Sequence, residues 1–120
     1  MAESDARYSV VNSGDAMSVS VVGEIDHHSA KGIRTAIDEE MFKAAPKRLL
    51  LDLSGVNFMD SSGLGLILGR MSKAEEIGCR VVISGASESV YKMLDLAGIG
   101  RLITIECKRA DGKPKKQIQK

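Results

Sequence analysis

Short apolar runs and amphipathic stretches take turns along this chain, and that alternation limits the folds open to it. Tyr8 and Val10, then Met17, Val19 and Val21, alternate with polar residues on either side of Asn12-Ser13-Gly14-Asp15. Period two across a turn predicts a β-hairpin. Ala30, Ile33, Ile37 and Met41 then recur at steps of three and four, which predicts an amphipathic helix closed before Pro46. Residues 48–53 hold Leu49-Leu50-Leu51, the kind of run expected of a central strand buried on both faces. A second helix follows Ser61-Ser62-Gly63, with Leu64, Ile67, Leu68, Met71 and Ala74 on one face and a stop near Gly78. Val81-Val82-Ile83 reads as another buried strand. Ser87 can cap a third helix carrying Val90, Met93, Leu94 and Ala97 inward and ending at Gly98. Residues 102–105 make a last strand. The order β, β, α, β, α, β, α, β requires parallel crossovers, hence an α/β mixed sheet of four or five strands. The expected core contains Val19, Val21, Ile33, Ile37, Leu50, Leu64, Leu68, Val82, Val90 and Leu94.

One core accounts for residues 7–107, and nothing there reads as a linker. A chain of 120 residues buries roughly two-thirds of its unfolded surface, enough to fold without disulfides or metal. Its net charge of +1 gives no sign of a nucleic-acid or membrane-surface partner. The charge is uneven, however. Residues 108–120 carry +5, which leaves −4 on the first 107. With Ile118 as its single bulky apolar residue, this basic tail is expected to be mobile, leaving 1–107 as the domain. No apolar run approaches the roughly 18 residues of a membrane span, and residues 1–6 are too polar for a secretory leader. Cys79 and Cys107 lack metal-type spacing and are expected to be reduced, buried fillers in a cytoplasmic protein.

Chemistry concentrates at Asn57-Phe58-Met59-Asp60-Ser61-Ser62-Gly63-Leu64-Gly65, between a strand and a helix. Loops at the C-terminal ends of such strands commonly carry function. Asp60 and Ser61 are ordinary capping types. Two adjacent hydroxyls, an acid beside them and glycines at 63 and 65 go beyond a plain cap. Each glycine costs about 1 kcal/mol relative to alanine, and a first turn stripped bare suits close approach by another molecule. A helix N-terminus can hold phosphate, but Gly63-x-Gly65-x-x-x-Gly69 has neither the P-loop ending nor dinucleotide spacing. Hydrolysis would need an imidazole base, and only His27 and His28 are available, without a GxSxG elbow. As adjacent residues with no further histidine, they make a poor metal site. They are expected in a loop at a protein-binding surface, so no metal or cofactor is expected. The third candidate is another protein, such as one that modifies the serine. A phosphoryl group would add a charge of about −1.5 to −2, which a helix N-terminus tolerates and a docked partner would meet.

These residues carry a resemblance. Gly23-Glu24-Ile25-Asp26-His27-His28-Ser29-Ala30 and Phe58-Met59-Asp60-Ser61-Ser62-Gly63-Leu64-Gly65-Leu66-Ile67-Leu68-Gly69-Arg70 resemble the STAS-domain anti-sigma factor antagonists of bacteria, most of all those of sporulation. Leu94-Asp95-Leu96-Ala97-Gly98 is similar to the family's third-helix ending. The resemblance implies a STAS-like sheet with helices mainly on one face. It implies a non-enzymatic protein that binds an anti-sigma factor serine kinase when unphosphorylated and so frees the sigma factor. Phosphorylation at Ser61 ends that complex, and a serine phosphatase restores it. Asp26, His27, Asp60, Ser61, Ser62 and Gly63 then form the partner surface. The alternative is a STAS scaffold in a larger assembly without a phospho-switch. The family's closing helix after the last strand is replaced here by the basic tail.

Overall fold

The computed structural model describes residues 6–108 and 114–116. Strands β1 (Arg7–Ser13) and β2 (Ala16–Ile25) form the hairpin, turning at Gly14 with φ of 62°. Then come α1 (His27–Ala44), β3 (Arg48–Met59), α2 (Ser61–Glu76), β4 (Arg80–Ala86), α3 (Glu88–Leu96) and β5 (Thr104–Lys108). Strand order follows chain order. β1 is antiparallel to β2, and β2 to β5 run parallel. Right-handed crossovers between consecutive neighbours must all lie on one side of such a sheet. The predicted element order and one-sided helix layer are therefore what the chain adopts.

A three-residue strand, β6 (Pro114–Lys116), pairs antiparallel with β5, placing Lys116 opposite Glu106. Backbone pairing to an open edge needs no apolar side chains, and proline is tolerated at an edge. The other residues of the expected tail, 109–113 and 117–120, lie outside the described residues, as do residues 1–5.

One-sided helices correct the expectation for β3. Val19, Leu51, Ile83 and Ile105 lie in one row across the four parallel strands, all under the helices and all buried. Ser18, Leu50, Val82 and Thr104 form the adjacent row on the opposite face. Leu50 is 36% exposed there and Leu51 only 3%. The β3 side chains under the helices are Leu49, Leu51 and Leu53, so β3 is not buried on both faces, and Val82 gives way to Val81 and Ile83. The phase of α2 also differs from expectation. Its inward stripe is Gly63, Leu66, Ile67, Arg70 and Ala74, while Leu64 is half-buried and Leu68 exposed. Leu68 lines a groove with Met71, Leu102 and Ile103 instead of entering the core. Val19, Val21, Ile33, Ile37, Val90 and Leu94 are core residues as expected. Leu51→Ala should cost about 2–5 kcal/mol, as buried large-to-small changes do, and Leu50→Ala less than about 1. Urea denaturation of the two variants reads this directly, and an equal loss would show that both faces are covered.

Among the described residues, neither Cys79 nor Cys107 forms a disulfide. Cys79 is buried, and burial pushes its thiol pKa up. Cys107 is only half-buried near the sheet edge, so it is not the core filler expected.

Candidate functional site

Two parallel strands end together and start two helices side by side. Ile25 of β2 pairs with Met59 of β3, after register shifts near Gly23 that bring both side chains inward. The next residues, Asp26 and Asp60, are the N-caps of α1 and α2. The Asp60 amide donates to the Ile25 carbonyl at 3.1 Å, which ties the second cap to the strand that feeds the first.

Each cap is built from its own side chain. Asp26 accepts from the Ser29 amide at 2.9 Å, and its own amide donates to Ser29 Oγ at 3.0 Å. This is a reciprocal capping box with serine in the place usually taken by glutamate or glutamine. Asp60 accepts from the Ser62 amide at 2.7 Å, and its carbonyl receives the Gly63 amide at 2.9 Å. Ser61 is therefore the first residue inside α2, not its cap. Its side chain is exposed, and among the described residues its hydroxyl has no hydrogen-bond partner. Ser62 is half-buried and turned toward α1.

Gly63 serves a purpose other than the bare surface expected of it. It is buried, and a Cβ there would collide with the Met59 side chain, which lies 2.6 Å away at Sδ. What approaches Gly63 is the end of β3. Gly65 is the exposed glycine of this turn, with nothing within 4 Å of a Cβ position.

His27 and His28 belong to the first turn of α1 and not to a loop. Both are exposed. His27 lines a groove with Ser62, whereas His28 faces Tyr8 and Glu39 on the other flank of α1. Among the described residues, no hydrogen bond joins either imidazole to Ser61 or Ser62, so nothing aligns a base with a hydroxyl for nucleophilic attack.

Sequence reasoning missed two features here. Arg70 projects from α2 against α1 at 4% exposure, with Nε 2.8 Å from Asp38 Oδ1. The separation is that of an ion pair, but the N–H points off the oxygen, and neither Nε nor Nη1 makes a hydrogen bond. Burial pushes the Arg70 pKa down, Asp38 opposes this, and the nearby Arg34 adds to the depression. The second feature is the basic wall formed by Lys31 and Arg34 beside Ser62. Its signal was present in the spacing 27, 31, 34, which puts His27, Lys31 and Arg34 on one helical stripe.

The STAS domain family matches residues 7–112, and the chain belongs to that family. Among its relatives it is similar to the anti-sigma F factor antagonist of Lysinibacillus sphaericus, with 35% identity over 82 residues covering 68% of this chain and 70% of that protein. It is also similar to the anti-sigma F factor antagonist of Paenibacillus polymyxa, with 33% identity over 87 residues covering 72% and 74%. The solved structure of the anti-sigma factor antagonist SpoIIAA in its unphosphorylated form superposes with a TM-score of 0.75 at 27% identity, covering 88% of this chain and 90% of that one. Bacillus SpoIIAA in its phosphorylated form gives a TM-score of 0.71 at 26% identity, covering 88% and 94%. Among the described residues, no helix is long and apolar enough to cross a membrane.

Proposed function

We propose that this chain is an anti-sigma factor antagonist whose unphosphorylated form binds an anti-sigma factor serine kinase and frees the sigma factor. Phosphorylation of Ser61 by that kinase, with ATP as donor, ends the complex, and a serine phosphatase restores it. The observation that carries this reading is the Ser61 hydroxyl, exposed at the first position of α2 and engaged by nothing else among the described residues. A kinase can reach such a group without unfolding anything. The cap is supplied by Asp60, so modifying Ser61 leaves the helix start intact.

Charge gives the switch its sign. A phosphoryl group at Ser61 faces the positive end of the α2 dipole, which stabilises it within the chain. Toward a partner it adds to the carboxylates of Asp26 and Asp60, so the docking surface changes in bulk and charge without a change of fold. Asp26, His27, Asp60, Ser61 and Ser62 form that surface, with Gly63 supporting it from below. The similarity to named antagonists, one of them solved in phosphorylated and unphosphorylated forms, supports this reading.

The test is phosphate incorporation from labelled ATP with the cognate anti-sigma kinase. Wild type and Ser62→Ala should take up close to one phosphate per chain, and Ser61→Ala none. Labelling lost in Ser62→Ala and kept in Ser61→Ala would move the acceptor to Ser62. An unlabelled wild type would favour a scaffold role.

A further inference from the structure

The groove between the first halves of α1 and α2 has one basic wall. His27, Lys31 and Arg34 line it from α1, and Ser62, Gly65 and Leu66 line it from α2, around about 330 Å³ of open space. Among the described residues, no acidic side chain lines it. The neighbouring carboxylates are engaged elsewhere, with Asp60 and Asp26 on helix amides and Asp38 against Arg70. Among the described residues, neither Lys31 nor Arg34 belongs to an ion pair. Arg34 also adds to the positive charge around buried Arg70, which Asp38 opposes. The groove therefore holds uncompensated positive charge on a molecule whose first 107 residues carry −4.

We infer that this groove receives an acidic segment of the anti-sigma factor, with a carboxylate seated between Lys31 and Arg34 and its aliphatic stem along Leu66 and Gly65. The inference rests on the antagonist reading above and names the chemistry of the partner. Three features favour a protein side chain over a free anion. The cations come from a single wall on flexible stems, unlike a convergent nest of amides around phosphate. The opposite wall offers apolar surface and a bare glycine, which fit a methylene stem and a closely approaching backbone. The groove is also lined by Ser62, the residue that follows Ser61, so a segment lying in it brings its parent protein close to the acceptor hydroxyl. Complementary charge of this kind sets the rate of encounter and partner choice, and it responds to salt.

The experiment measures binding of the cognate anti-sigma factor by titration calorimetry at 50 and 300 mM NaCl. The variants are Lys31→Glu/Arg34→Glu, Lys31→Gln/Arg34→Gln, and the control Lys47→Glu/Arg80→Glu at the opposite end of the sheet, with folding checked by circular dichroism. The glutamate pair should bind at least tenfold more weakly at low salt. The glutamine pair should fall between it and wild type, with a flatter salt dependence than wild type. The control should stay within about twofold. Affinity of both groove variants within twofold of wild type, with Ser61→Asp still blocking the complex, would overturn the groove and leave the antagonist reading standing. A wild type that does not bind at all would overturn both. If inorganic phosphate shifts the Gly65 amide resonance of wild type while both groove variants bind the partner normally, the groove is a free-anion site and the inference fails.

Discussion

Ser61→Asp should fold like the wild type and lose at least about 30-fold in affinity for the anti-sigma factor. The added carboxylate sits in the first turn of α2, where the helix dipole stabilises a negative charge by about 0.3–1 kcal/mol. Asp60 keeps its bond to the Ser62 amide, so the cap is unaffected. Thermal midpoints of the variant and wild type should therefore agree within a few degrees. In the complex, the same charge is removed from water beside Asp60 and Asp26, and the cations of the neighbouring groove, Lys31 and Arg34, are already engaged by the partner's carboxylate. An unpaired charge buried at an interface costs about 2–5 kcal/mol, and about 1.4 kcal/mol is tenfold in affinity. Ser61→Ala adds no charge and removes no cap, so it should bind as wild type does and remain bound in the presence of ATP. Calorimetry with and without ATP distinguishes the three proteins. Wild-type affinity in folded Ser61→Asp would remove Ser61 from the interface.

Asp38→Ala should destabilise the fold by about 3 kcal/mol. It leaves Arg70 buried near Arg34 with no opposing charge among the described residues. Breaking such a pair costs about 3–5 kcal/mol, and the partial exposure of Asp38 places this case near the lower end. The double change Asp38→Leu/Arg70→Met removes both charges at similar volume and should recover most of that loss, since burying an ion pair offsets much of its own attraction. Urea unfolding of wild type, single and double variants gives the comparison. A single-variant loss below about 1 kcal/mol would mean that water reaches Arg70 readily enough to replace its partner.

The contrast between Arg70 and Ser61 shows which parts of this protein can be read in its sequence. Asp60, Ser61 and Gly78 act through local rules, a cap, a helix start and a left-handed stop, and each lies within one element of where the sequence places it. The β and α alternation likewise predicted parallel crossovers and a mixed sheet, because right-handed connections leave few topologies, whereas the order of the strands in the sheet is seen only in the structure. Leu49-Leu50-Leu51 contains no alternation, so its phase was hidden. The polar residues beside it, Ser18 on β2 and Asp52 two places along, mark the open face only after the strands are paired. Arg70 was missed through helix phase. A stripe drawn on Leu64 and Leu68 puts the arginine outside, whereas one drawn on Gly63, Leu66 and Ile67 puts it inside. The Lys31–Arg34 stripe was legible in its spacing, but its place beside Ser62 required knowing that α1 lies against α2 at that height.

The paired ends of β2 and β3 act as a ruler with discrete marks. Asp26 and Asp60 keep their spacing because Ile25 and Met59 occupy matching rungs of one ladder. Inserting or deleting a single residue in either strand would slide one helix start by about 3.3 Å and turn the residues that follow it to the opposite face. Drift in the lengths of the hairpin turn or of the C-terminal segment leaves those marks in place. Across relatives of this protein, length changes should therefore accumulate at the hairpin tip and after β5, while the count of residues from the β2–β3 rungs to each cap stays fixed.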